Sequence, residues 1–320
     1  MPTLLVCLST DQLADLGRVR EIASGYDVVR ATGERVRDVL KDAEIALGFP
    51  PPALVAEAPR LRWLQSWSAG LDWLVEHEDF YPAAHPDLVV TSASGIHAVP
   101  IGEHVLAVLL AFSRRLPLAL RDQRAKRWGG SEDYDGVFEW LCKRLVMVGA
   151  GSIGERVIEL AGALGMSAVA VRASGAETPG ALRTVTPEAM AGELAEADAV
   201  VAALPLTDAT YRMLDAETFG ALKPGALFVN VGRGETVDQY DLVEALRSGQ
   251  IGAAALDVFD DEPLPASSPL WEMDNVILTP HVAGDSPQYA RRALALFADN
   301  LRSWRAGDEL RNRVDLAAGY

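Results

Sequence analysis

The first hundred residues alternate short apolar runs with polar stretches of helical period. Leu4 to Leu8, Ala43 to Gly48, Leu61 to Trp67 and Leu88 to Thr91 stand out as strands. Such alternation predicts β/α units around a parallel sheet. Pro50, Pro51 and Pro52 follow the second of these runs. Three fixed φ angles and three missing amide protons stop the sheet there and predict a stiff loop. From Pro100, the residues Ile101, Val105, Leu106, Leu109, Leu110 and Phe112 recur at helical spacing, with proline suited to the first turn. A domain crossing is expected just before it. Trp128 to Gly136, WGGSEDYDG, reads as an exposed connection.

A second series starts at Arg144: strand Leu145 to Val148, a helix from Ser152, strand Ser167 to Arg172, a helix from Thr186 with Pro187 in its first turn, and strand Ala199 to Ala203. Strands Leu227 to Val231, Ala253 to Val258 and Val276 to Thr279 follow, with a helix from Asp238 to Gly249 between the first two. Near-continuous apolar strands are what a sheet covered on both faces requires. Ser286 and Pro287 open a last helix with Ala290, Leu294, Phe297 and Leu301 on one face, expected to pack back on the first domain. The expected organisation is therefore residues 1–97 plus 286–320 as one domain and 98–285 as another.

Composition narrows the function classes. The 320 residues are 49% hydrophobic and 23% charged, which excludes disordered and collagen-like chains. A formal net charge of −16 repels phosphate backbones and anionic lipid heads, so neither nucleic acid nor a membrane is expected as a partner. An anionic substrate must then be drawn in by a few local cations, which makes each well-placed arginine informative. Cys7 and Cys142 lack metal-ligand or CxxC spacing, and no metal is expected. MPTLLVCLST has no basic segment leading into an apolar stretch, and no run approaches the ~18–20 residues that cross a bilayer, so the cytoplasm is the expected location.

VMVGAGSIGERV places Gly149, Gly151 and Gly154 in a GxGxxG pattern after a strand and at the start of a helix. The first glycine permits the tight turn, the second leaves room for a pyrophosphate and the third lets helix and sheet lie close, while free helix amides bind the anion. A merely structural glycine turn is the plainer reading, and the strand, turn and helix order argues against it. Such folds usually end the second strand with an acid that accepts from the adenosine ribose. Here Arg172 stands at that position, followed by Ala173 and Ser174. A guanidinium there can grip a 2′-phosphate that a carboxylate would repel, so NADP is the expected preference, with NAD possible and Arg172 and Ser174 as its contacts; an exposed strand-end arginine in an enzyme indifferent to the phosphate is the alternative.

Three polar residues lie just beyond successive strand ends: Arg233 after LFVNV, Glu262 after AAALDVFDD and His281 after NVILTP. In an open parallel sheet that edge binds ligands. Reduction of a ketone needs a proton for the oxygen as hydride reaches the carbon, and histidine is suited to supply it. Glu262 would orient the imidazole, and Arg233 offers paired donors for a carboxylate or a developing alkoxide. Singly, each has a plain explanation: a loop cation, a member of the solvated run DDEP, a strand-end cap. Together they describe a 2-oxo acid reductase, reversible as a 2-hydroxy acid dehydrogenase.

LFVNVGRGETVD, AALDVFDDEPLP and NVILTPHVAG, in that order and separation, resemble the signature blocks of the D-isomer-specific 2-hydroxyacid dehydrogenase family. IGEHVLAVLLAFSR is similar to the helix linking its domains, LPLTDATYRML to the loop over the cofactor and SAGLDWL to the substrate loop, so the likeness spans roughly residues 43 to 301. It implies an α/β fold of two domains, a Rossmann-type doubly wound parallel sheet and a smaller flavodoxin-like substrate domain, hinged and assembled as a homodimer around the cofactor domain. It further implies that Arg233 binds substrate, His281 is the acid/base and Glu262 its partner. Ser152 and Ile153 would hold pyrophosphate, Val231 and Gly232 would pass beneath the nicotinamide ribose, and Asp257 would accept from the carboxamide. Pro205, Thr210 and Gly284 would line the cofactor path, and the amides of Ala69 and Gly70 would receive the substrate carboxylate.

Two positions depart from the common family pattern: Arg172, as above, and His97, where many members carry asparagine. His97 is a substrate-binding candidate with a packing or hinge role as the alternative. His104 beside Glu103 suggests a relay, but helix-face hydrogen bonding is the simpler account; His77 and His85 read as solvated. Trp63, Trp67 and Trp73 flank the substrate loop and either narrow the pocket or pack the core, the latter expected for at least two. The length leaves no room for a regulatory domain after the last helix, which counts against the larger phosphoglycerate dehydrogenases. Glyoxylate or hydroxypyruvate is the favoured substrate. A nucleotide-sensing scaffold without turnover is the rival reading, disfavoured because a sensor needs no acid/base pair.

Overall fold

The computed structural model describes residues 1–75, 77, 80 and 85–316. Two compact units separate along the chain, Met1–His97 with Ser286–Tyr320, and Ala98–Asp285. The first unit holds a five-stranded parallel sheet of β1 (Thr3–Cys7), β2 (Asp27–Arg30), β3 (Ala43–Gly48), β4 (Trp63–Gln65) and β5 (Val89–Thr91), in the order β2-β1-β3-β4-β5. That order is the flavodoxin-like one.

The helix Tyr289–Ala306 closes this sheet by burying Leu294, Phe297 and Leu301 in one core with Leu4, Ile45 and Trp63. Trp63 stacks on both Phe297 and Trp304, at 5.4 and 5.7 Å between ring centroids. Beside it runs a buried polar network. Asn300 Nδ2 donates to Gln65 Oε1 (3.0 Å), Gln65 Oε1 also accepts from the Thr91 hydroxyl, and Trp63 Nε1 donates to Thr91 Oγ1. Such groups are tolerated inside only because each is satisfied. Trp63 and Trp67 are therefore core residues, and Trp73 lies edge-on to Phe49.

In the second unit β6 (Arg144–Val148), β7 (Ser167–Val171), β8 (Arg183–Val185), β9 (Ala199–Ala202), β10 (Ala226–Asn230), β11 (Ile251–Leu256) and β12 (Val276–Leu278) form a parallel sheet ordered β12-β11-β10-β9-β6-β7-β8. The chain leaves β6 in one direction and, from β9, continues in the other, so the strand order reverses between β6 and β9. Crevices at such a reversal, outside the carboxyl ends of the strands, bind ligands in open α/β sheets. Every residue of β9 and β10 is buried, as the apolar run at that position of the sequence requires.

Where the expectations from sequence fail, edges and helix starts are responsible. The edge strands β2 and β8 give no apolar run in the sequence, because DVVR and RTV are short and at least half polar. The stretch from Thr186 forms a 3₁₀ turn, Pro187–Ala189, before the helix Met190–Leu194. Pro100 lies inside the first turn of the helix Ala98–Ser113 rather than opening it, a place where its missing amide proton has no helical acceptor to lose. Trp128–Gly136 is an exposed connection with one 3₁₀ turn, Ser131–Tyr134, pinned by Arg127, which pairs with both Asp122 and Asp133.

Candidate active site

The glycine loop leaves β6 with Gly149 at φ +93°, a left-handed conformation that disfavours any side chain. A Cβ at Gly149 would stand 2.6 Å from the Ala203 carbonyl oxygen, and one at Gly154 would stand 2.6 Å from the Gly149 carbonyl oxygen. These two glycines thus pack β6, β9 and the helix Ser152–Ala163 together. Gly151 is different: a Cβ there would meet nothing within 4 Å. It leaves open space beside the helix N-terminus, where the amides of Ser152 and Ile153 have no helical acceptor. A dinucleotide pyrophosphate fits that cradle.

Arg172 follows β7, its amide donating to the Val185 carbonyl (3.0 Å) and its Nη1 lying 3.7 Å from Glu155 Oε1. Ser174 is held in the adjoining turn, its Oγ accepting from the Ala176 amide. After β9, the Thr210 hydroxyl donates to the Pro205 carbonyl (2.7 Å), closing the loop that spans those two candidates.

Beyond β10, the buried side chain of Asn230 shapes the turn. Its Oδ1 accepts from the Gly232 amide and its Nδ2 donates to the Arg233 carbonyl, both at 3.0 Å. Val231 is buried, and a Cβ at Gly232 would lie 2.7 Å from the Leu204 backbone. Gly234 packs against the Phe259 carbonyl so closely that no Cβ can be accommodated. The Thr236 hydroxyl donates to the same Arg233 carbonyl at 2.7 Å. Arg233 is therefore launched from a backbone fixed on both sides. The roles of Asn230, Gly234 and Thr236 are not evident from sequence, although all three lie within the block NVGRGET.

The segment carrying His281 is fastened by Asp257, a buried carboxylate after β11. Its Oδ1 accepts from the Thr279 hydroxyl (2.6 Å) and the Val282 amide (3.0 Å), its Oδ2 accepts from the Ala283 amide (3.0 Å), and its carbonyl accepts from the His281 amide (2.8 Å). Gly284 follows directly. His281 takes a left-handed backbone conformation, φ +54°. Its Nδ1 lies 2.8 Å from Glu262 Oε2, while Glu262 Oε1 accepts from the Phe259 amide at 3.1 Å. With Nδ1 engaged, Nε2 is the nitrogen left to exchange a proton, and half of the imidazole surface is open. Arg233, Glu262 and His281 all belong to the second unit and all follow carboxyl ends of adjacent strands in the order β10, β11, β12.

His104, on the helix Ala98–Ser113, is half-buried. Burial pushes its pKa down, opposed by the charge of Asp257. Its ring makes no hydrogen bond among the described residues, which corrects the expectation of helix-face bonding, and Glu103 is exposed. In the first unit, the loop after β4 is tied by Ser68, whose amide donates to Ser66 Oγ and whose hydroxyl donates to the Gly70 carbonyl. The amides of Ala69 and Gly70 have no acceptor among the described residues and stand at the carboxyl end of that sheet. His97 meets Tyr289 edge-on at 5.2 Å. No cluster of three or more potential ligands suited to a metal ion occurs among the described residues.

Residues 106–283 match the family described as D-isomer specific 2-hydroxyacid dehydrogenase, NAD binding domain. A glyoxylate reductase of Korarchaeum cryptofilum is 32% identical over 289 residues, which cover 88% of this chain and 84% of that one. The crystal structure of a D-isomer specific 2-hydroxyacid dehydrogenase family protein from Aeromonas salmonicida superposes with a TM-score of 0.85 at 31% identity, covering 99% of this chain and 100% of the other. A D-isomer specific 2-hydroxyacid dehydrogenase from Xanthobacter autotrophicus, in complex with NADPH and MES, gives 0.83 at 31% identity and full coverage of both chains. The chain belongs to the D-isomer-specific 2-hydroxyacid dehydrogenases. It is an NAD(P)-dependent enzyme acting on small hydroxy or oxo acids, and no helix among the described residues is long and apolar enough to cross a membrane.

Proposed function

We propose that this protein reduces a small 2-oxo acid to its D-2-hydroxy acid, reversibly, with glyoxylate or hydroxypyruvate favoured. The 2.8 Å contact between His281 Nδ1 and Glu262 Oε2, on the sheet edge that also carries Arg233, is the observation that supports it most. A bound reduced nicotinamide supplies the hydride. Arg233 holds the substrate carboxylate and polarises its carbonyl; His281 donates a proton from Nε2 to the carbonyl oxygen and takes it back in the reverse direction. Glu262 fixes the ring through Nδ1. Asp257 holds the His281 segment, with one lone pair of Oδ2 left for the carboxamide.

In this reading Ala98–Asp285 binds the nucleotide through Gly149, Gly151, Ser152, Ile153, Gly154, Pro205, Thr210, Val231, Gly232, Asp257 and Gly284. The other unit is the substrate domain, offering the Ala69 and Gly70 amides and His97. NADP is the preferred cofactor through Arg172 and Ser174, and the solved relative that binds NADPH is in keeping with this. The test is NADPH and NADH oxidation against a panel of 2-oxo acids. Turnover with glyoxylate or hydroxypyruvate is expected, with chirally pure D-product where the product is chiral. Absence of oxidation with every oxo acid would refute it.

The working assembly is proposed to be a homodimer in the cytoplasm, where the free thiols Cys7 and Cys142 persist. Leu116, Leu120, Trp128 and Leu141 are exposed within one stretch of the nucleotide unit, Trp128 completely, more apolar surface than a lone helix edge needs to show. Light scattering should give twice the 34.3 kDa chain mass, falling toward one chain in Leu120→Asp. A wild-type monomer at micromolar concentration would contradict the assembly.

A further inference from the structure

We propose that Glu155 sets the cofactor selectivity of the adenosine end of the site, acting on Arg172. The proposal rests on the reading that Arg172 receives a 2′-phosphate. Dinucleotide folds commonly carry their ribose-binding acid at the end of the second strand. In this chain that position is Arg172, yet a carboxylate from a different element still reaches its guanidinium. Glu155 stands in the first turn of the helix Ser152–Ala163, its Oε1 3.7 Å from Arg172 Nη1. It is the only carboxylate that pairs with Arg172 among the described residues.

The backbone fixes this spacing. The Glu155 amide donates to the Gly151 carbonyl at 2.8 Å, and Gly154 presses the helix against the glycine turn. Arg172 is anchored by its amide on the Val185 carbonyl. Both side chains are more than a third exposed, so each can swing toward a ligand without breaking the core.

The two groups have opposite tastes. A 2′-phosphate carries about −1.5 to −2 charges and takes charge-assisted bonds from the guanidinium. Glu155 competes for the same guanidinium and repels the phosphate. A 2′-hydroxyl has a proton to donate, which Glu155 accepts and Arg172 cannot. The pair therefore moderates the NADP preference and retains a foothold for NAD. An exposed ion pair contributes little to stability, so Glu155 can be changed without unfolding the protein.

Calorimetric binding of adenosine 2′,5′-bisphosphate and of 5′-AMP, which requires no turnover, tests this directly in the wild type, Glu155→Gln and Arg172→Ala. Glu155→Gln should tighten the bisphosphate by about three- to tenfold and leave 5′-AMP unchanged or weaker. Arg172→Ala should weaken the bisphosphate by about tenfold or more and spare 5′-AMP. If Arg172→Ala acts as stated and Glu155→Gln leaves the ratio of affinities unchanged, the role of Glu155 is overturned and the NADP reading stands. If Arg172→Ala itself leaves that ratio unchanged, both fall.

Discussion

In the His281→Asn protein kcat should fall by about 10²- to 10⁴-fold, with nucleotide affinity nearly unchanged, the loss expected when a general acid is removed. The substitution isolates the proton because of where His281 sits. Its backbone is left-handed, φ +54°, a conformation asparagine tolerates better than most residues. The segment is held by Asp257 through the Thr279 hydroxyl and the Val282 and Ala283 amides, none of which uses the imidazole. Asparagine therefore leaves the loop in place and deletes only the imidazole. Steady-state rates at saturating oxo acid give the answer, and an unaltered kcat would remove His281 as proton donor.

Arg233→Ala should lower kcat/KM for the 2-oxo acid by about 10²- to 10⁴-fold, the sum of two charge-assisted hydrogen bonds at roughly 1.5–3 kcal/mol each. The loss should appear in both kcat and KM if the guanidinium grips the carboxylate and also stabilises charge on the carbonyl oxygen. Because the Arg233 carbonyl is held by Asn230 and Thr236, truncating the side chain leaves the turn intact. Arg233→Lys keeps the charge and loses the planar fork, so it should recover only part of the activity. Normal kinetics for Arg233→Ala on every oxo acid would refute the assignment.

Much of the fold is legible in the chain because its central strands are buried on both faces. ALFVN and AVVA have no polar side to hide the signal, apart from Asn230, and that exception turns out to shape the Arg233 turn. A lone polar residue ending a buried strand beside a GRG turn was the available clue. The edge strands DVVR and RTV are invisible for the opposite reason: each buries at most one residue, and three or four residues carry too little alternation. Within the site, Arg233, Glu262 and His281 were readable because each follows an apolar run at a strand tip. Glu155 carries no sequence signal, since its partner lies seventeen positions away and pairing across a turn leaves no periodic trace. The network of Gln65, Thr91 and Asn300 was hidden likewise, its members separated by up to 235 positions.

The measurement closest to the core of this account is a double-mutant cycle on NADPH oxidation with Glu262→Gln, His281→Asn and both together. If Glu262 works only by orienting the imidazole, Glu262→Gln lowers kcat by about 10- to 100-fold and the double variant is no slower than His281→Asn alone. Losses that multiply in the double variant would mean that the carboxylate and the imidazole act independently, and the pair would not be the proton-donating unit.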